Sequence, residues 1–432
     1  MPRRPSVKPL FVTLIAASAL AACASSPGSA PPPGTGIAQA PQATPAGVQP
    51  ASAPAPVDFG ACVADLKQQA IATGIPVQVA EASLRDVREL QQVVDLDRSQ
   101  PEFVQTFGQY IDKRVSQNRI DRGRRMLGAY APLFRSVEQQ TGVPGRYIVS
   151  FWGLESNFGD NTGGFRVMDA LATLACEGRR GQFFTAELFD AMRIVGYGDI
   201  ALERMQGSWA GAMGQPQFMP STFQRHAVDA DGDGRRDIWS SLPDIFGSAG
   251  NFLNAAGWRA GEEWGQEVIL PEGFDYTLAD LSVKRSVADW QALGVRSADG
   301  RPLANGGTEA ALLLPAGWRG PAFITYPNFG VILNWNRSFN YALAVGMLAD
   351  RIAGRGPLIV QPAMDEVGLS RSQVMDLQRW LGSLGYDPGT PDGIVGPNTR
   401  GAARAFQQAT GTQADGYVGQ DLYQRVRAAA GA

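Results

Sequence analysis

Apolar side chains recur at three- and four-residue intervals over much of the chain. Leu84, Val87, Leu90 and Val94 form one such stripe, and Ile148, Phe151, Trp152 and Glu155 form another. That is the period of a helix with one buried face, so the spacing predicts a mainly helical body over residues 58–354. Between Glu267 and Val331 the pattern changes to short apolar runs broken by Gly and Pro, as in Phe323-Ile324-Thr325-Tyr326. Such runs predict a small β section, and the expected class is mainly α with a minor sheet (α+β). A linker at 355–365 leads to a second, compact unit over 366–430. There Val374, Leu377, Leu381 and Leu384 share one helical face, and Asp392-Gly393-Ile394-Val395-Gly396 returns as Asp415-Gly416-Tyr417-Val418-Gly419. Each tight turn precedes a helical pattern. A unit so small suggests an accessory binder more than a catalyst.

The N-terminus has a different pattern. Basic Arg3, Arg4 and Lys8 precede an apolar run from Leu10 to Leu20, and Leu20-Ala21-Ala22-Cys23 follows. This is the order of a secretory signal, and the run is short for a membrane span. The cysteine after L-A-A resembles a lipoprotein cleavage site, so residues 1–22 are expected to be removed and Cys23 acylated, anchoring the chain in a membrane. Ala24 at the next position resembles the outer-membrane sorting pattern and implies a periplasmic location. Residues 23–57 are almost all Ala, Pro, Gly, Ser, Thr and Gln, which cannot bury enough apolar surface to order themselves and read as a tether. Export into an oxidising compartment favours a bridge between the remaining cysteines, Cys62 and Cys176, over two buried free thiols.

Charge and residue inventory then narrow the chemistry. The chain has 38 basic and 41 acidic side chains; without the three basic residues of the leader the balance is 35 against 41. That argues against a nucleic-acid footprint. His226 is the single histidine, which removes His-rich zinc sites and leaves no choice of histidine for a Ser-His-Asp triad, and no phosphate-cradling G-x-x-x-x-G-K-[ST] loop is present. His226 reads as structural, and carboxylates are left for acid–base work.

Glu155 is the best of them. It lies in Val149-Ser150-Phe151-Trp152-Gly153-Leu154-Glu155-Ser156-Asn157-Phe158-Gly159, where apolar neighbours would strip its solvation, raise its pKa and keep it protonated near neutrality. Asn157, Gly159 and Asn161 are helix-stop signals, placing the carboxyl near a helix C-terminus, whose dipole also disfavours its charge. Taken alone, the window equally fits a surface glutamate on a helix whose aromatics face the core.

Four separated segments decide between these readings: G-L-E-S-N-F-G at 153–159, G-S-W-A-G-A-M-G-Q-P-Q-F-M-P-S-T-F at 207–223, A-V-D-A-D-G-D-G at 227–234 and N-W-N-R-S-F-N-Y-A at 334–342. In this order they resemble the membrane-bound lytic murein transglycosylase B family, and the C-terminal unit is similar to small helical peptidoglycan-binding modules. The resemblance implies a lysozyme-like catalytic domain, glycan strands of peptidoglycan as partner, and Glu155 as the one catalytic acid and base. It implies groove roles for Ser208, Gln217, Asn336 and Tyr341 and an aromatic sugar contact at Phe252. Trp335 falls where the family commonly has tyrosine and is assigned to stacking. Arg179 and Arg180 are candidates for the anionic peptide stem or lactyl carboxylate.

Asp229, Asp231, Asp233 and Gly234 form the first half of an EF-hand-like loop, but the twelfth position holds Ser240. The family closes this loop later, so Asp244, with the Arg235 carbonyl, completes the expected calcium set. The ion would be structural, with no cofactor needed for catalysis. The expected activity is cleavage of the β-1,4 bond between N-acetylmuramic acid and N-acetylglucosamine, leaving 1,6-anhydromuramoyl ends, by a monomer. The rivals are a muramidase that uses water, a non-catalytic wall anchor and, more weakly, a calcium-signalling protein, for which one irregular loop makes a poor switch.

Overall fold

The computed structural model describes residues 58–99 and 105–432; the leader, Cys23 and the tether lie outside the described residues. The body is helical and centres on the helix Gly145–Glu155, in which Gly145 and every residue from Tyr147 to Leu154 is buried. A helix apolar on all sides must be enclosed on all sides. Helices Gln117–Ala129, Ala131–Thr141 and Phe339–Ile352 pack around it. Ser150, the polar exception, donates its hydroxyl to the Val345 carbonyl at 2.7 Å.

The stripe Leu84–Val94 does not form one helix. Helix Val77–Leu84 ends, and a new helix begins at Gln91 and runs to Ser99. The Leu90 amide is taken by the Thr173 hydroxyl at 3.0 Å, a tertiary partner that periodicity does not reveal. Cys62, on helix Phe59–Ala72, and Cys176, on helix Val167–Glu177, are joined in a disulfide that spans 114 residues of sequence. Closing a loop of that length restricts the unfolded chain by about 4–5 kcal/mol in the chain-entropy account.

The β section is a five-stranded antiparallel sheet. Its strands lie in the order Arg285–Ser286, Glu309–Leu313, Ala322–Thr325, Gly265–Ile269, Arg296–Ser297. One face carries its own core of Val268, Trp290, Val295, Leu312, Ile324 and Tyr326. The C-terminal unit has three helices, Arg371–Ser383, Pro397–Ala409 and Gln420–Ala429, around Val374, Leu377, Leu381, Phe406 and Val426. Among the described residues no helix is long and apolar enough to cross a membrane.

The sheet joins the helical body through Trp264, which is buried against the chain at Gly346. A Cβ at that glycine would stand 2.3 Å from the indole, so only glycine permits the approach. Beside it lies a half-buried charge cluster around the buried Asp350. Glu263 accepts from Arg355 at 2.7 Å, Arg146 at 3.0 Å and the Tyr147 hydroxyl at 3.3 Å, while Asp350 accepts from Arg355 at 2.7 Å and the Trp264 indole at 3.2 Å. Burial pushes the Asp350 carboxyl up to about 6 despite Arg355. Burial works the same way on Glu263, but Arg355 and Arg146 outweigh it and hold that carboxyl below its usual value.

The raised Asp350 makes folding favour the protonated form. Between the ordinary carboxylate range and pH 6 the folded chain binds the extra proton, so this group's contribution to stability grows as pH falls from 7 toward 4 and is lost above 6. Denaturation of wild type and Asp350→Asn at pH 7 and pH 5 should show the wild type gaining on the variant by up to about 1 kcal/mol per pH unit; a gap that does not change with pH contradicts the assignment.

Candidate active site

Glu155 is the last residue of its helix, half-buried, with Ser156 as cap. The chain then turns sharply: Asn157 and Phe158 adopt φ of 51° and 60°, followed by Gly159 at 88°. A bulky residue in the left-handed region is strained and persists only where its surroundings hold it. Phe158 is held by packing edge-on against Trp152 at 5.5 Å, by the Arg122 guanidinium over its ring at 5.1 Å, and by its amide, which donates to the Trp152 carbonyl at 3.1 Å. The helix therefore stops at Glu155 and leaves its carboxylate at the helix end.

Two donors meet it there, both from the 334–342 segment. The helix Pro327–Trp335 ends on Trp335, whose indole Nε1 donates to Glu155 Oε1 at 2.8 Å. After a three-residue link the helix Phe339–Ile352 begins, and the Tyr341 hydroxyl donates to the same Oε1 in a short hydrogen bond. Ser338 caps that helix, accepting from the Tyr341 amide at 3.3 Å, and Asn336 accepts from the Ser338 amide at 2.9 Å. Burial, with the Glu155 charge second, pushes the Tyr341 phenol well above its ordinary value, so it stays a neutral donor at any working pH. Trp335, assigned from sequence to stacking on sugar, packs here against protein rings. Its ring lies 4.4 Å from Phe151, 4.8 Å from Phe252 and 5.3 Å from Phe218. His226 rests on Phe252 at 4.9 Å, and burial pushes its imidazole below the usual value, in keeping with a structural ring.

The 207–219 segment forms a neighbouring wall. Ser208 closes its loop by accepting the Ala212 and Ala210 amides at 3.0 and 3.3 Å. Gln217, at φ 52°, donates to the Thr162 and Gly214 carbonyls at 3.1 and 2.8 Å. Phe218 then brings the segment against Trp335. Gln215, which sequence reasoning passed over, braces the site from behind. It accepts from the Trp152 indole at 2.7 Å and donates to the Trp239 carbonyl at 2.9 Å, tying the Glu155 helix to the acidic loop. Only its place in Q-P-Q beside Gln217 hinted at it.

Arg179 and Arg180 are a correction. Both guanidiniums bond the buried Asp97 carboxylate, Arg179 also reaches its carbonyl at 3.0 Å, and Arg180 lies over Phe184 at 4.8 Å. Burial would raise Asp97, but the two arginines hold it below the usual carboxylate value. Two cations committed to one carboxylate brace helices against each other and are not offered to an anionic stem.

In the acidic loop, ligand oxygens of Asp229, Asp231 and Asp244 lie within 4.8 Å of one another. Asp244 is fully buried and accepts the Ala230 amide at 2.7 Å and the Asp237 amide at 2.8 Å; burial pushes its carboxyl up. Asp233 stands outside this group. It accepts the Arg235 amide at 2.9 Å and meets the Arg235 guanidinium at 3.4 Å. An all-carboxylate cluster with one buried member suits a hard, oxygen-seeking cation.

Comparison with known proteins places this geometry. Residues 58–350 match the family described as "Transglycosylase SLT domain". The chain belongs to that family. Residues 370–426 match "Putative peptidoglycan binding domain". The structure superimposes on SltB3 from Pseudomonas aeruginosa, solved in complex with NAG-anhNAM-pentapeptide, with a TM-score of 0.83 and 46% identity over 85% of this chain and 99% of that one. Slt35, the Escherichia coli lytic transglycosylase solved in complex with calcium, matches at a TM-score of 0.58 and 29% identity over 68% of this chain and 92% of that one. Membrane-bound lytic murein transglycosylase B of Escherichia coli K12 is 32% identical over 250 residues, 56% of this chain; the chain spans 66% of that relative's length. The chain is thus an enzyme of the lytic transglycosylase class with a lysozyme-like fold, and Glu155, Trp335 and Tyr341 all lie inside the matched region.

Proposed function

We propose that this transglycosylase cleaves the β-1,4 bond between N-acetylmuramic acid and N-acetylglucosamine and leaves 1,6-anhydromuramoyl ends, with Glu155 as acid and then base. The observation that carries the reading is the pair of donors from Trp335 and Tyr341 on one oxygen of the helix-ending glutamate. An oxygen that accepts two hydrogen bonds is a poor place for a proton, so the transferable proton rides on Oε2. Oε2 delivers it to the glycosidic oxygen, the bond to C1 breaks, and the charge that develops on the carboxylate is met by donors already in place. Indole and phenol supply no second carboxylate, so the substrate's own N-acetyl oxygen closes on C1. Glu155 then takes the proton of the muramoyl C6 hydroxyl as O6 displaces the acetamido oxygen from C1. The atoms balance without water. The anhydro sugar bound to SltB3 is the product class this sequence of steps would form.

The sugar groove proposed here runs past Ser208, Gln217, Asn336 and the aromatic face of Phe252 beside Trp335, groups that suit acetamido groups and sugar rings. The organisation proposed is a signal peptide at 1–22, a tether at 23–57 acylated on Cys23, a catalytic domain at 58–354, a linker at 355–365 and a wall-binding domain at 366–430. That arrangement, with the membrane-bound Escherichia coli relative, supports a periplasmic enzyme held at the outer membrane by its lipid. Asp229, Asp231 and Asp244 would hold calcium, which supplies charge neutralisation that ties the acidic loop to helix Leu242–Ala255 and takes no part in bond cleavage.

Mass spectrometry of sacculi digested side by side tests the activity. Wild type should release muropeptides lighter than hydrolytic products by one water and inert to borohydride, while Glu155→Gln still binds sacculi and releases none. Reducible ends would identify a muramidase, and no release by wild type would leave a wall anchor. For the ion, calcium at a hundredfold excess over its dissociation constant should stabilise wild type by about 2.7 kcal/mol in thermal unfolding, with the gain lost on chelation and in Asp229→Asn. Equal gains in both proteins would remove the site.

A further inference from the structure

The C-terminal unit contains one hydrogen-bonded turn twice. In the first copy Gln378 donates to Asp392 at 3.0 Å, the Gly393 amide donates back to Gln378 at 2.9 Å, and the Ile394 amide donates to Asp392 at 2.8 Å. In the second, Gln407 donates to Asp415 at 2.7 Å, the Gly416 amide to Gln407 at 2.8 Å and the Tyr417 amide to Asp415 at 2.9 Å. The backbones are equivalent; what they face is not. Asp392 is exposed, whereas Asp415 is buried and its second oxygen accepts the Trp318 amide of the catalytic body at 2.9 Å. Tyr417 covers Gly317, where a Cβ would meet its ring at 3.2 Å, and Arg404 pairs with Asp280 at 3.1 Å. One copy of the repeat is therefore a dock for the body, and the other is left facing outward.

One turn before Arg404 on the same helix is Arg400. Its guanidinium lies over the ring of Phe339 at 5.6 Å, its Nε is buried without a hydrogen-bond partner, and among the described residues no carboxylate is within ion-pair reach of it. This half-buried guanidinium rests on the ring face, while the charges of Asp280 and Asp415 act on it from beyond ion-pair distance. Phe339 is the first residue of the helix that carries Tyr341, and the link before it, Asn336 to Ser338, is exposed. First turns of helices fray unless something holds them; Ser338 satisfies only the Tyr341 amide here, and a fray would swing the hydroxyl that meets Glu155.

We infer that Arg400 is a positioning residue: from helix Pro397–Ala409, which lies between the two turns, it presses on Phe339 and fixes the helical turn that aims Tyr341 at Glu155. The inference rests on the reading of Glu155 as the catalytic group. It makes the wall-binding unit part of the catalytic geometry, in addition to whatever its outward-facing copy binds. A misplacement of about 1 Å can lower turnover as much as 100-fold, so a partial release of one turn should lower kcat by roughly 10-fold and leave KM unchanged.

The test compares wild type, Arg400→Met, Arg400→Lys and Phe339→Leu on glycan strands stripped of peptide by an amidase, together with amide hydrogen exchange of the substrate-free proteins. Expected are a kcat lowered roughly 10-fold in Arg400→Met at constant KM, partial recovery in Arg400→Lys, and no further loss when Arg400→Met is added to Phe339→Leu. Exchange should quicken at Phe339 to Tyr341 and stay unchanged from Gly346 to Ile352. If Arg400→Met does not fold, Arg400→Lys carries the test, since it keeps the charge and loses the planar stack. Unchanged exchange, or unchanged kcat with quickened exchange, overturns the proposal. A raised KM at constant kcat also overturns it and makes the arginine a glycan contact. If wild type cleaves no strands, it is the reading of Glu155 that fails, and exchange at the first turn decides whether Arg400 holds it.

Discussion

Everything in this structure converges on one carboxylate oxygen that accepts hydrogen bonds from an indole and a phenol. Glu155 can occupy that position because its helix is enclosed along its whole length and stops abruptly, with Phe158 forced into a left-handed conformation. A buried polar group is tolerable only when its hydrogen bonds are made, and Trp335 and Tyr341 make two of them. The same two bonds fix one oxygen of the carboxyl, and in the proposed mechanism the other would carry the transferable proton.

The donors depend on structure far from the site. Trp335 is wedged between Phe151, Phe218 and Phe252, so its indole cannot turn without repacking three rings. Tyr341 rides on a helix pinned at both ends. Its far end enters the charge cluster through Asp350, and its near end meets the C-terminal unit through Phe339. The small sheet, joined at Trp264, and the wall-binding unit, docked at Asp415, thus both bear on the placement of a single hydroxyl.

Much of this was legible in the chain. The apolar run around Glu155 and the stop signals after it foretold a buried helix ending at the carboxyl, because both are local. The D-G repeat foretold two equivalent turns for the same reason. What failed depended on partners distant in sequence. The stripe Leu84–Val94 belongs to two helices, separated where Thr173 takes the Leu90 amide. Arg179 and Arg180 read as available cations because nothing near them in sequence reveals Asp97. The indole of Trp335 could be foreseen as a stacking face, but its hydrogen bond needs a helix end brought from 180 residues away. Gln215 and the divergent use of the two D-G turns are tertiary facts of the same kind.

The proposed mechanism turns on where one proton sits. Neutron diffraction from deuterated crystals grown at a pH where the enzyme turns over would locate it directly. Expected are deuterons on Tyr341 Oη and Trp335 Nε1, both directed at Glu155 Oε1, and the transferable deuteron on Oε2. A deuteron on Oε1, with the phenol turned away or ionised, would contradict it.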